Sequence, residues 1–175
     1  MDQSTRKRPG EMGHLRRSAI ASIPDRGEIR YPVRLRWVCV RCANSCRDIS
    51  RHRRNILLAP RDTERISKVT KLGAQEFSVP SHARAPYERQ MKKIGGSCMF
   101  LEGSNCSIYR ARPLICRFYP FSLHPSRDEG FEISYDRACT GIGKGPIRSS
   151  RFFQALVRLA QRELTPHWDR LTNES

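Results

Sequence analysis

Three cysteines stand within eight residues of one another, as Cys39-x2-Cys42-x3-Cys46. A Cys-x2-Cys pair on a tight turn presents both sulfurs to one ion, and backbone N–H groups aimed at them offset the thiolate charge. Four further thiols, Cys98, Cys106, Cys116 and Cys139, each fall at the end of an expected strand or in a turn. Buried thiols acting as small hydrophobes are the plain alternative, but the clustered spacing and a weak core favour metal. Arg41, Arg47, Arg117 and Arg137 lie within two residues of a cysteine, and a cation at that range favours thiolate over thiol. Four thiolates on Zn²⁺ or on an oxidised four-iron cluster leave a net charge of about −2, which guanidinium groups can neutralise. With 27 arginines in 175 residues, some also fall near cysteines by chance.

The composition bounds the setting for that chemistry. Seven cysteines are too few, and odd in number, for a secreted disulfide scaffold. No apolar run is long enough for a membrane span, and the opening MDQSTRKRPGEMGHLRR lacks the apolar stretch of a secretory signal. The expected location is therefore cytoplasmic, where clustered thiols usually mean metal or catalysis. Hydrophobic residues make up 38% and aromatic ones 8%, so the core is modest and a metal staple is expected. The net charge of +16 comes from 27 Arg and only six Lys. Arginine suits a nucleic acid or an acidic protein partner through bidentate pairing, although a GC-rich coding sequence gives the same skew.

The elements that must position the thiols predict an α+β fold: a small, irregular, metal-stapled domain with short strands, a few short helices and a C-terminal helix. Residues 1–28 read as a disordered basic arm, 29–165 as the cysteine-cluster domain and 166–175 as a tail. Tyr31, Val33, Leu35 and Trp37 alternate as a strand leading to Cys39, and Ile56 to Leu58 form a short strand. A helix starts at Asp62 or Thr63, buries Ile66, Val69 and Leu72, and stops at Gly73. Residues 74–97 read as a long connection with a helical turn near Tyr87 to Lys93. Cys98 and Cys106 occupy the two arms of a hairpin, while Pro113 and Pro120 bracket a short helix around Cys116. Phe131, Ile133 and Tyr135 form a strand leading to Cys139, followed by a flexible GIGKGP. A helix from Arg151 to Leu164 closes the core with Phe152, Leu156, Leu159 and Ala160.

The strings CVRCANSC, ILLAPRDTERISKVTKLG, CMFLEGSNCSIYRARPLICRFYPF and CTGIG resemble the YkgJ-type cysteine-cluster proteins, the CxxCxxCC family of zinc- or iron-chelating domains. The resemblance covers about residues 37–143, and CSIYRARPLICRFYPF is its most specific stretch. It implies that Cys39, Cys42, Cys46, Cys98, Cys106, Cys116 and Cys139 are the metal residues. Ser45 stands where the family usually has the first cysteine of an adjacent pair. Some relatives resemble flagellin lysine N-methylases and others iron–sulfur oxidoreductases, so the resemblance implies a metal site without choosing a reaction. Eight thiols complete two four-thiolate sites, whereas seven complete one and leave three unless solvent, His52 or His124 fills the last place.

Other chemistry is poorly represented. No HExxH helix, GxSxG elbow or phosphate loop occurs, and GIGKG lacks the spacing and following Ser/Thr of a nucleotide loop. Tyr109, Phe118, Tyr119 and Phe121 interleave with Arg110, Arg112 and Arg117, a pattern suited to single-stranded nucleic acid or to packing around a metal. Three functions follow. The leading one is an iron–sulfur cluster protein, with a 4Fe-4S cluster preferred over zinc because the ligands come from distant segments. The others are a zinc-stabilised RNA- or ribosome-binding module and a cluster-dependent methyltransferase or oxidoreductase.

Overall fold

The computed structural model describes residues 20–21, 28–49, 53–83, 85–126 and 130–164. The remainder of the expected arm and the tail from residue 166 lie outside the described residues. Helices α1 (Pro60–Thr70), α2 (Ala74–Phe77), α3 (Leu114–Phe118) and α4 (Ser150–Leu164) combine with short strands in an α+β arrangement around two apolar clusters. Among the described residues no helix is long and apolar enough to cross a membrane.

The first cluster joins α4 to a four-stranded sheet. Phe121–Ser126 pairs antiparallel with Gly130–Tyr135, which runs parallel to Glu28–Pro32, and Ile20–Ala21 lies beyond. Along α4 the buried positions Phe153, Leu156, Val157, Ala160 and Leu164 follow the helical period. Phe153 is fully buried and Phe152 only partly, so the buried face is turned one residue from the expected one. Phe153 stacks on Tyr31 at 5.0 Å and meets Phe121 edge-on at 5.7 Å.

The second cluster is built on α1, α2 and a sheet in which Arg89–Met91 lies between Leu57–Leu58 and Ser78–Pro80. Its buried members include Leu58, Ile66, Phe77, Met91 and Cys98, with Cys46, Cys106 and Cys116 packed against them. Four of the seven thiols therefore belong to one apolar body.

Several expected elements take other forms. The strand from Tyr31 to Trp37 is broken into Glu28–Pro32 and Arg36–Trp37, because Pro32 offers no N–H and Arg34 turns left-handed (φ 56°). Helix α1 begins earlier, at Pro60, with Ala59 as its N-cap; Asp62 is its third residue and accepts the Ala59 N–H at 3.1 Å. It ends at Lys71 in the left-handed conformation, Gly73 instead precedes α2, and Val69 is exposed. Within 74–97, Ala74–Phe77 is helical, and Ser78–Pro80, Arg89–Met91 and Lys93–Ile94 are extended, the last two in place of the expected helical turn. Cys98 and Cys106 occupy separate hairpins, Lys93–Ile94 with Ser97–Cys98 and Leu101–Glu102 with Asn105–Cys106. GIGKGP forms the strand Ile142–Ile147 opposite Arg36–Trp37. The short α3 between prolines, the strand through Phe131, Ile133 and Tyr135, and the extent of α4 follow the sequence.

The two clusters are joined through Asp62. Its carboxylate, 1% exposed, accepts the N–H groups of Ala59 and of Leu114 (2.9 Å) and pairs with Arg65. Arg65 also pairs with Glu163 on α4 at 2.7 Å, and Glu163 takes Arg117 of α3 at 3.0 Å. Burial pushes the Asp62 carboxyl up, while the two N–H groups and Arg65 pull it back. Replacing Asp62 by Ala leaves buried donors without an acceptor, which should cost about 2–5 kcal/mol. The urea midpoint should fall accordingly, and a midpoint equal to wild type would show that Asp62 is not structural.

Acid should weaken the same network. Burial raises the Glu163 carboxyl, but Arg65 and Arg117 outweigh it and hold it below its ordinary value. A carboxylate lowered on folding adds stability that is present above its unfolded pKa and lost as pH falls through the folded value. Glu163→Gln should therefore flatten the acid limb of a stability-against-pH curve, and an unchanged limb would count against the assignment.

Candidate metal centre

The turn carrying the first three cysteines is fixed by its backbone. Arg41 and Ala43 are left-handed (φ 51° and 59°), and the Cys46 N–H returns to the Ala43 carbonyl at 2.8 Å. The Cys46 carbonyl then accepts the Cys98 N–H at 2.7 Å, and Asp48 N–H bonds to Gly96 O at 2.8 Å, which stitches the turn to the hairpin of Cys98. Lys93 pairs with Asp48 at 2.7 Å across the same join. Cys106 lies opposite Leu101 in the next hairpin, and Cys116 sits in α3, whose first N–H is held by Asp62.

These segments enclose a cavity of about 310 Å³. Its floor is apolar, with Ile56, Met91 and Ile108 beside the thiols, and its rim carries the exposed Arg41, Ser104, Asn105 and Tyr109. Cys39, Cys46, Cys98, Cys106 and Cys116 all line it. Cys46, Cys98, Cys106 and Cys116 lie within electrostatic reach of one another: charge on Cys46, Cys98 or Cys106 raises the Cys116 thiol, and Cys46 and Cys106 raise that of Cys98. Desolvation is the larger cause throughout, pushing Cys98 up to about 11, Cys106 up and Cys116 well up. Opposing it, the Phe100 N–H bonds to Cys98 and the Ile108 N–H to Cys106, each from two residues further on. That is the N–H support expected of a sulfur carrying negative charge.

The remaining thiols lie where residues 38–42 run beside 139–145, joined by the Val38 N–H to Gly141 O bond at 3.3 Å. Cys42 lies outside the cavity lining. Although burial raises its thiol, the Thr140 side chain, the Asn44 and Cys42 N–H groups and Lys144 bring it below the ordinary value. Cys139 is buried in a turn closed by its N–H to Asp136 O at 3.1 Å. Ser45 lines the cavity with its Oγ 3.6 Å from Cys46 Sγ. His124 bonds to Ser134 at 2.9 Å, outside the cavity lining, and His52 is outside the described residues.

Sequence reasoning missed two groups. Arg112, rather than the arginines within two residues of a thiol, acts on Cys106. Its separation from Cys106, six residues along the chain, is closed by the 3₁₀ turn Tyr109–Ala111. Tyr119, Arg54 and Asp136 form the other: Arg54 lies 5.1 Å over the Tyr119 ring and pairs with Asp136 at 2.9 Å, and Tyr119 donates to Asp136 at 3.3 Å. No local pattern joins Arg54 to Asp136. Of the expected aromatic surface, Phe118 and Phe121 are buried in the first cluster, while Tyr109 and Tyr119 line the cavity.

Residues 38–140 match the CxxCxxCC family model, described as "Putative zinc- or iron-chelating domain". The chain belongs to the CxxCxxCC family. An uncharacterised protein of Methanocaldococcus jannaschii is 36% identical over 74 residues, 38% of this chain and 40% of that protein, so the match spans less than half of the relative's length. No solved structure matches. Cys39, Cys42, Cys46, Cys98, Cys106, Cys116 and Cys139 all fall inside the CxxCxxCC match.

The donor set fits the family description chemically. Four mutually coupled thiols, two of them supported by N–H groups, suit a thiophilic ion such as zinc or iron. As the side chains stand, no three Cys, His, Asp or Glu residues among the described residues meet at the spacing of a closed metal site, and the thiols instead surround the cavity.

Gly141 controls the second group of thiols. A Cβ there would stand 2.1 Å from the Val38 carbonyl oxygen, so the side-by-side run of 38–42 and 139–145 requires glycine. Gly141→Ala should separate Cys42 from Thr140 and raise the Cys42 thiol. Its reactivity toward a small alkylating agent near pH 8 should drop; equal reactivity would show that the close approach is not needed.

Proposed function

We propose that the protein is a cytoplasmic iron–sulfur protein whose cluster is held by Cys46, Cys98, Cys106 and Cys116. The observation that carries this reading is that four electrostatically coupled thiols, drawn from the 39–46 turn, two hairpins and α3, line one cavity. A zinc ion draws its sulfurs to about 2.3 Å of one centre. Thiols drawn from the 39–46 turn, two hairpins and α3 suit a cluster, whose ligands come from separated segments, better than a pair of zinc knuckles. An iron–sulfur cluster supplies electron transfer or Lewis acidity at iron.

The chain's own part is to hold and tune. The Phe100 and Ile108 N–H groups stabilise thiolate at Cys98 and Cys106, Arg112 adds positive charge beside Cys106, and the apolar floor limits water. Cys39 lines the same cavity without belonging to the second apolar cluster, and Cys42 and Cys139 stand outside the cavity lining. Ser45, on the cavity wall beside Cys46, gives a hydroxyl where a further thiolate would complete a larger set.

Anaerobic purification with metal analysis and an absorption spectrum tests the proposal. A brown protein is expected, with about four irons and four sulfides per chain for a 4Fe-4S cluster. Cys98→Ser or Cys116→Ser should remove colour and cooperative unfolding together, since metal binding to distant segments is also folding energy. Cys42→Ser should keep the spectrum. A colourless protein with one zinc would replace the cluster with a zinc site, and loss of colour in Cys42→Ser would overturn the division into four and three.

A further inference from the structure

We propose that the rim of the cysteine cavity binds a small oxyanion, a carboxylate or phosphate group, between Arg41 and Arg112. The Arg112 guanidinium lies 3.9 Å from the centroid of the Tyr109 ring and that of Arg41 lies 5.3 Å from it, so one aromatic ring carries both cations, and all three residues line the cavity. Arg112 is fixed further by donating to the Tyr109 carbonyl at 2.8 Å. A guanidinium already held in place loses little freedom when it pairs with an oxyanion in bidentate fashion.

The treatment of the other cations sets this pair apart. Arg54 has Asp136, Arg65 has Asp62 and Glu163, Arg117 has Glu163, and Lys93 has Asp48. Neither Arg41 nor Arg112 has a carboxylate partner among the described residues. Glu102 is the nearby acid acting on Cys106, and it pairs with neither. Arg41 also holds a left-handed backbone (φ 51°), which glycine or asparagine adopts with less strain. Beside the pair, the exposed Ser104 and Asn105 offer a hydroxyl and an amide to the same ligand.

A competing role for these arginines is to neutralise the thiolates below, since Arg112 favours ionised Cys106. The two roles differ in whether an external anion binds. The site goes beyond the cluster reading, because it uses the rim and stands with either metal.

The test is isothermal titration of the full-length protein as purified, at low ionic strength, with inorganic phosphate and separately with malonate, metal content being measured in each sample. One saturable site is expected, and the tighter probe identifies whether phosphate or carboxylate is the preferred group. Arg41→Gln and Arg112→Gln should each weaken binding about tenfold or more. Arg112→Lys should recover only part of it, because an ammonium cannot pair in bidentate fashion. Arg151→Gln, an exposed change on α4, should bind as wild type does. Absence of saturable binding by both probes overturns the inference. So does equal weakening by Arg151→Gln, or unchanged binding in the Arg41 and Arg112 variants, with or without loss of metal. Binding that persists in protein containing no iron supports the rim site while removing the cluster reading.

Discussion

A single carboxylate with almost no exposure decides where the thiols can stand. Asp62 closes the first turn of α1 on Ala59 and holds the first N–H of α3, the helix that carries Cys116. Helix α3 has only five residues, too short to persist without tertiary support. Asp62 provides that support from α1, while the Arg65–Glu163–Arg117 chain provides it from α4. A buried carboxylate is costly unless each oxygen is used, and here both are: Oδ1 serves Leu114 and Arg65, and Oδ2 serves Ala59. The position of Cys116 therefore depends on a network in which no cysteine takes part.

That network also explains how two modest cores behave as one support. The first is aromatic and sheet-based, with Tyr31, Trp37, Phe121 and Phe153 in mutual contact. The second is smaller and includes Cys98 among its buried members, so thiols replace hydrocarbon where apolar residues run out. Glu163 projects from the helix of the first core and reaches Arg65 of α1, which serves the second, and Arg117 of α3, which packs against both. Burial of the same thiols favours their protonated form when alone, so a metal bound by them would have to displace protons.

Much of this was legible in the sequence. Helix α4 and the proline-bounded α3 follow from periodicity and from the missing N–H of proline, both local properties. The family was legible for a similar reason: its signature is a set of contiguous strings. What could not be read were features set by pairing between distant segments. Residues 74–97 look like loop because of Pro80, Pro86 and Gly95-Gly96, yet Arg89–Met91 is the central strand of a sheet. Pro80 is tolerated because it lies on an edge strand of that sheet. From its local sequence Asp62 is a helix cap, whereas its role depends on Leu114, 52 residues away. The same limit applied to the site, since spacing identified the seven thiols but not which of them share an apolar body.

The charge distribution gains a physical explanation at the cavity. A centre with four thiolates concentrates negative charge in surroundings of low dielectric, where compensation counts for more than on the surface. Glu102 acts on Cys106 and Asp62 on Cys116, so compensation for such a centre has to come from backbone N–H groups and from cations. Backbone N–H groups touch Cys98 and Cys106, Arg112 acts on Cys106 from the rim, and Arg117 lines the cavity while tied to Glu163. Cys42 receives separate support from Thr140 and from Lys144, the latter on the strand opposite Arg36–Trp37. Charge near Cys42 is thus supplied by a different segment from the charge near Cys106. Among the described residues, Arg112 is the arginine that favours ionisation of a cavity thiol, so proximity along the chain does not predict which arginine meets sulfur.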